Sequence, residues 1–487
     1  MKKTCGILMP IFALPGEYGI GTFGKEAYSF VDFLKASGQS VWQMLPLNQT
    51  VFGDSPYQTT ADCSFNPYYC DLEELFSLGL ITEKELNGAK EKVKSVDYGK
   101  LYFKRTALLK KAFSRFEMSD EFLDFVNSKK YHDYALFMTA KTVFCSLSGF
   151  PSWLKAPNKR LIDGFLQENA ETYLFYCFTQ YILEKQFFRL KKYANERGVK
   201  LLGDLPLYVA LDSADVWKNK GLFLIDEDYR PKKVAGVPPD YFSQDGQLWG
   251  NPIYDYDAMK KDGFKWWKAR LKRALERYDL LRIDHFRGLD RFWAIPFGES
   301  AKAGEWTTAY GREILSKVNK NRLIAEDLGV IDDGVISLLK DTELPGMKVL
   351  LFAFDKNPNN PYLPKNVTEK SVAYVGTHDN DTAYGFVKKL TPEEFKQFSS
   401  SLNSVLPKGA TKVKGKKQVA PALIETLLST KASLTIISFA DLLCLDNTYR
   451  INTPSTVGNW TVRFKPEHFS EGLASSLLSL TKKYKRI

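Results

Sequence analysis

The chain alternates between short apolar runs and stretches of helical periodicity. Residues 6–11 are an apolar run of strand length, and Phe23, Ala27, Phe30, Val31 and Leu34 then recur at the spacing of one helix face. Gly38 follows as a C-terminal cap, and residues 41–47 predict a second strand. A helix around residues 187–194 ends near Gly198 and feeds a third strand over 201–209. Trp267, Leu271, Ala274, Leu275 and Tyr278 form another stripe, leading directly into a strand over 280–286. Runs at 323–327, 348–354, 372–376 and 434–439 complete eight strands alternating with helices. That number and order close a TIM (β/α)8 barrel. Periodicity does not show closure, so an open doubly wound sheet is the alternative.

The spacing is uneven, and this predicts the organisation. Residues 1–71 carry the first two barrel strands. Residues 72–197 are too long for one loop and hold several helical patterns, which predicts a mainly helical insertion. Residues 198–487 supply the rest of the barrel, with an Asp-, Gly-, Pro- and aromatic-rich lid insertion at about 212–265. No internal repeat or low-complexity segment is evident.

Composition changes the picture in three places. Aromatics make up 14% of the chain, a weak lean toward a sugar-stacking surface. The net charge of +11 raises nucleic acid as a partner. Its clusters, however, are Lys408, Lys412, Lys414, Lys416 and Lys417, and a tail of Lys482, Lys483, Lys485 and Arg486. Neither is interleaved with aromatics as a base-stacking platform would be, so no nucleic-acid partner is expected. The six cysteines, Cys5, Cys63, Cys70, Cys145, Cys177 and Cys444, show no CxxC spacing and fit a reduced, cytoplasmic protein. Lys2 and Lys3 before an apolar run resemble a signal peptide, but Pro10 interrupts the run and no small-residue cleavage site follows. No membrane span is expected.

Two sequence motifs carry candidate chemistry. Gly19-Ile20-Gly21-Thr22-Phe23-Gly24 matches a dinucleotide fingerprint, yet it lies away from the first strand and the second strand ends without an acidic residue. A glycine-rich barrel loop is the better reading. Acidic residues cluster instead at three predicted strand ends: Arg282-Ile283-Asp284-His285, Ala325-Glu326-Asp327 and Gly376-Thr377-His378-Asp379. Each alone could be a solvated strand end, but in a barrel all three converge on the catalytic face. Strand alternation puts Arg282 and Asp284 on one face, and a neighbouring guanidinium favours an ionised carboxylate. Metal ligation ranks second, because HxH and HExxH spacings are missing and Arg282 would repel a cation.

These segments resemble those of the amylomaltases, or disproportionating 4-α-glucanotransferases, of the α-amylase-like superfamily. Gly53-Asp54-Ser55-Pro56-Tyr57-Gln58 resembles that family's first substrate loop, and Gly203-Asp204-Leu205-Pro206 its third-strand motif. Gly236-Val237-Pro238-Pro239-Asp240-Tyr241-Phe242-Ser243, continuing to Gly250-Asn251-Pro252, resembles its active-site lid. Asn452-Thr453-Pro454 and Asn459-Trp460 resemble its C-terminal motif, so the likeness runs from about residue 6 to 462.

The resemblance implies Asp284 as nucleophile, Glu326 as general acid/base and Asp379 as transition-state stabiliser. It implies Arg282 and His378 as sugar-binding neighbours; Asp204 is a further substrate-binding candidate, and Tyr57 and Trp249, in Gly- and Pro-rich loops, are candidates for stacking on sugar. His285 and Arg287, and Asp204 in a second capacity, would hold the strand ends. Tyr241 and Phe242 are further candidates for stacking on sugar. The implied reaction is retaining transfer of α-1,4-glucan segments, which requires two carboxyls about 5–5.5 Å apart and no cofactor or metal. Maltooligosaccharides and α-1,4-glucans are the expected partners. A plain α-glucan hydrolase, a silent glucan-binding protein and a metal-dependent barrel hydrolase are the rivals. Oligomeric state is not legible.

Overall fold

The computed structural model describes residues 3–51, 53–156, 158–239, 244–329, 331–355 and 357–487. Twelve strands occur among them: β1 (Thr4–Leu8), β2 (Val41–Gln43), β3 (Lys200–Leu205), β4 (Lys233–Val237), β5 (Gln247–Pro252), β6 (Leu280–Ile283), β7 (Arg291–Pro296), β8 (Glu305–Thr308), β9 (Leu323–Ala325), β10 (Gly346–Val349), β11 (Ser371–Tyr374) and β12 (Leu434–Ser438). Eight of them form a closed barrel in the order β1-β12-β11-β10-β9-β6-β3-β2, every pairing parallel. The open-sheet alternative is thereby excluded.

All eight predicted strands are present, but their ladders stop earlier than the apolar runs do. Met44, Leu45 and Leu47 beyond β2, and Leu207, Tyr208 and Val209 beyond β3, are buried without belonging to a strand. They pack the loops over the barrel mouth, where backbones diverge and hydrophobicity records burial instead of extension. The run at 348–354 is displaced for the same reason: β10 ends at Val349, and Leu350–Phe352 turns into a 3-10 helix with Leu350 and Leu351 buried.

The first amphipathic stripe forms the helix Lys25–Ala36, with Ala27, Phe30, Val31 and Leu34 buried. Gly38 beyond it takes φ +71°, the left-handed turn that favours glycine. The stripe ending at Tyr278 forms the helix Lys265–Arg277. Tyr278 then packs so closely on β3 that a Cβ built at Gly203 would lie 2.1 Å from its ring. Between β2 and β3 runs a series of helices, from Leu72–Ser77 to the 27-residue Ala170–Glu196, whose face includes buried Phe178, Leu183, Phe187 and Leu190.

The sequence pattern did not reveal a second sheet. It is antiparallel, in the order β5-β4-β7-β8, and joins the connection after β3 to the connection after β6. Phe292, Ala294 and Ala235 face the main core, while Val234, Ile295 and Ala301 form a small apolar cluster on the other side with Trp293 against it. The lid candidates Tyr241 and Phe242, between β4 and β5, lie outside the described residues. Among the described residues no helix is long and apolar enough to cross a membrane.

Candidate active site

Arg282 organises the barrel mouth. Strand pairing aligns it with Asp204 of β3 on one side and Ile324 of β9 on the other. Its Nη1 donates to both oxygens of Asp204, at 2.7 and 2.8 Å, and to Oδ1 of Asp284 at 2.9 Å. Its Nη2 lies 4.0 Å from Oε2 of Glu326. Ile283, on the alternate face, is buried in the core. One guanidinium, itself only 3% exposed, thus holds the carboxylates of three consecutive barrel strands. Burying that charge is tolerable only because the carboxylates oppose it.

Glu326 follows β9, and its two oxygens accept backbone hydrogens: Oε2 from His285 at 2.7 Å and Oε1 from Leu328 at 2.9 Å. Burial pushes its carboxyl up to about 8 against the opposing pull of Arg282, with the charge of Asp284 adding to the rise. Asp284, just past β6, keeps a side chain that is 27% exposed while Asp204 behind it is fully covered. Asp284 is therefore the solvent-facing end of the Arg282 cluster. Burial raises the Asp204 carboxyl and the Arg282 charge resists this.

A second chain of contacts closes the ring. Tyr57 O–H donates to Asp204 Oδ2 at 2.8 Å and lies 3.0 Å from Nε2 of His378. The two rings stack with centroids 5.4 Å apart, and Trp460 tilts against both. His378 Nε2 lies 3.3 Å from Oδ2 of Asp379. Asp379 is the most open of these groups, with 40% of its side chain exposed.

The remaining candidates sit around this ring. His285 takes φ +46°, and burial lowers its imidazole to about 4, so it is neutral near pH 7. Its ring meets Trp249 edge-on at 4.8 Å, and Trp249 Nε1 donates to Gln247 Oε1. Arg287 donates to Asp332, in the loop beyond Glu326, and its guanidinium lies 3.9 Å over the Trp306 ring. It thereby ties the Glu326 loop to β8.

Two residues here were absent from the sequence-based candidates. Asn452 Nδ2 donates to Asp379 Oδ1 at 2.6 Å, and Arg450 Nη2 donates to the Asp379 carbonyl at 2.6 Å. The Asn452-Thr453-Pro454 segment was the available signal, but nothing in it names a partner 73 positions upstream. Among the described residues, no group of three or more His, Cys, Asp or Glu is arranged to hold a metal ion.

Two carboxylates flanking one guanidinium at the strand ends of a closed parallel barrel, one of them retaining its proton to about pH 8, define a glycoside-processing barrel enzyme. The sequence pattern of the 4-alpha-glucanotransferase family matches residues 9–469. The 4-alpha-glucanotransferase of a serotype 4 strain of Streptococcus pneumoniae is 38% identical over 503 aligned residues, covering 100% of this chain and 98% of that protein. That of Thermus thermophilus is 37% identical with 100% of both chains covered. The solved amylomaltase from Streptococcus agalactiae, in complex with acarbose, superposes with a TM-score of 0.93 at 37% identity, with both chains covered fully. The chain belongs to the 4-alpha-glucanotransferase family. Its reaction is transfer of α-1,4-glucan segments to an acceptor glucan with retention at the anomeric carbon, and glucans are its substrates.

Proposed function

We propose that Asp284 is the nucleophile and Glu326 the general acid/base, with Asp379 stabilising the transition state. The observation that carries the reading is the contrast across Arg282: Asp284 is bonded to the guanidinium at 2.9 Å and open to the mouth, while Glu326 is buried with a carboxyl at about 8. An acid that keeps its proton at neutral pH can protonate the departing glycosidic oxygen as Asp284 attacks the anomeric carbon. The covalent glucosyl-enzyme then meets the 4-hydroxyl of an acceptor, which Glu326, now ionised, deprotonates. Asp379 accepts hydrogen bonds from sugar hydroxyls and favours the flattened, cationic ring. Tyr57, Asp204, Arg282, His378 and Trp249 bind the sugar or orient these groups, and His285 and Arg287 fix the loops that carry them.

The donors and acceptors are maltooligosaccharides and longer α-1,4-glucans, and no cofactor or metal takes part in the steps. The helices of residues 72–197 form a subdomain beside the barrel, and about 212–265 supply the lid. The setting is cytoplasmic, in keeping with six unpaired cysteines.

Incubation with purified maltotriose tests the reading. Glucose plus a ladder of longer maltooligosaccharides, at nearly constant reducing ends, is expected from the wild type. Asp284→Ala and Glu326→Gln are expected to abolish the ladder; its persistence in either variant would remove that residue from its role.

A further inference from the structure

We infer that Asn452 is a positioning residue for the reaction: its side-chain amide, a neutral donor, fixes the Asp379 carboxylate. The inference rests on the role proposed above for Asp379.

The loop after β11 that carries Asp379 is met by residues 450–452, which come from the far end of the chain. The Asn452 backbone N–H donates to the His378 carbonyl at 3.0 Å, and its Nδ2 donates to Asp379 Oδ1 at 2.6 Å. Arg450 locks the two segments together, with Nε on the Asn452 carbonyl at 2.7 Å and Nη2 on the Asp379 carbonyl at 2.6 Å. Its Nη1 goes to the carboxylate of Asp381.

The division of labour is the informative part. A guanidinium is within reach of Asp379, yet it is spent on a backbone carbonyl and on a different carboxylate. Asp381 absorbs it further by also accepting Asn447 Nδ2 at 3.0 Å and Lys389 Nζ at 2.8 Å. The carboxylate of Asp379 itself receives a neutral amide on Oδ1, and Oδ2 is left facing His378 and the open mouth. A cation bonded to Asp379 would consume the charge that must meet the developing positive sugar ring. A neutral donor fixes the rotamer at no such cost, and holding a carboxylate within a fraction of an ångström is what preorganisation requires. Asn452 is thus set to act on the transition state through Asp379 and to contribute little to ground-state binding.

Kinetics of maltotriose disproportionation on Asn452→Ala, Asp379→Asn and the double variant test this, with melting temperatures as a check on folding. The expected loss in Asn452→Ala is roughly tenfold to a hundredfold in kcat, the scale of a misplaced catalytic group, with KM changed by less than about threefold. In the Asp379→Asn background the same substitution is expected to cost less than about twofold, because its target is already gone. Asn452→Asp keeps the shape and the backbone bond but sets a like charge against Asp379, and it is expected to lose more than Asn452→Ala. Should Asn452→Ala fail to fold, this isosteric variant carries the same cycle. Losses that multiply in the double variant, or wild-type kcat in Asn452→Ala, would overturn the inference. Wild-type kcat in Asp379→Asn alone would show that the role given to Asp379 is wrong, and the inference would fall with it.

Discussion

Raising the pH through 8 takes the proton from Glu326, and the transfer reaction is expected to fail there in a way that depends on the leaving group. Glu326 is enclosed, with 12% of its side chain exposed, so ionising it sets a charge away from water at a cost that two backbone hydrogen bonds and Arg282 offset only in part. Arg282, 4.0 Å away, would welcome that charge, but it is already committed to Asp204 and Asp284. A carboxyl moved from 4.5 to about 8 is harder to ionise by on the order of 5 kcal/mol, at about 1.36 kcal/mol per pH unit. Departure of a sugar hydroxyl requires the proton. The rate constant kcat/KM for maltotriose is therefore expected to be level between about pH 6 and 8 and to drop roughly tenfold per unit above. A maltosyl fluoride donor expels fluoride without protonation, so the same limb should be missing from its glycosylation step. The assay is sugar or fluoride release from each donor, measured between about pH 5 and 10 with enzyme stability checked at each end. An identical basic limb for both donors would refute the reasoning, since the titrating group would then not be the acid that serves the leaving oxygen. A basic limb with its midpoint below about pH 6 would equally show that burial does not hold the proton.

The same proton bears on stability: between 4.5 and about 8 native Glu326 keeps a proton that the unfolded chain has released, so its contribution is fully present below 4.5 and lost as pH rises through 8. Urea unfolding at pH 5 and pH 8 is expected to show a larger decline for the wild type than for Glu326→Gln, and equal declines would contradict the raised carboxyl. Removing the cation with Arg282→Met leaves Asp204, Asp284 and Glu326 facing one another. A cost of about 3–5 kcal/mol in unfolding free energy is expected, along with near-complete loss of transfer. Arg282→Lys retains the charge without the planar fork and should recover stability more than activity; full recovery of activity would show that charge alone suffices. Gly203→Ala would bring a methyl to 2.1 Å from the Tyr278 ring, and about 1–3 kcal/mol of destabilisation is expected by thermal or urea unfolding, with no loss as the contrary result.

What the sequence revealed and what it withheld divide along a physical line. Periodicity reports burial, and the barrel strands are buried on both sides, so all eight were visible in order; the ends were not, because Leu207 or Leu350 is as buried in a loop as in a strand. Arg282 and Asp284 were legible as a pair because strand alternation is local, and the geometry that unites them spans two residues. The antiparallel sheet of β5, β4, β7 and β8 was hidden by the opposite circumstance. Its partners Gly236 and Trp293 are joined across a long connection and carry no shared local pattern. Asn452 was hidden in the same way, and more completely, since an asparagine in a turn already has a sufficient local explanation. Its bond to Asp379 crosses from the segment after the last barrel strand to the loop after the one before it, and the parallel pairing of β11 with β12 brings those two together. The carboxylates proposed to carry the chemistry lie at strand ends, where a local pattern makes them visible. The groups that orient them come from neighbouring loops, where the fold alone decides who meets whom.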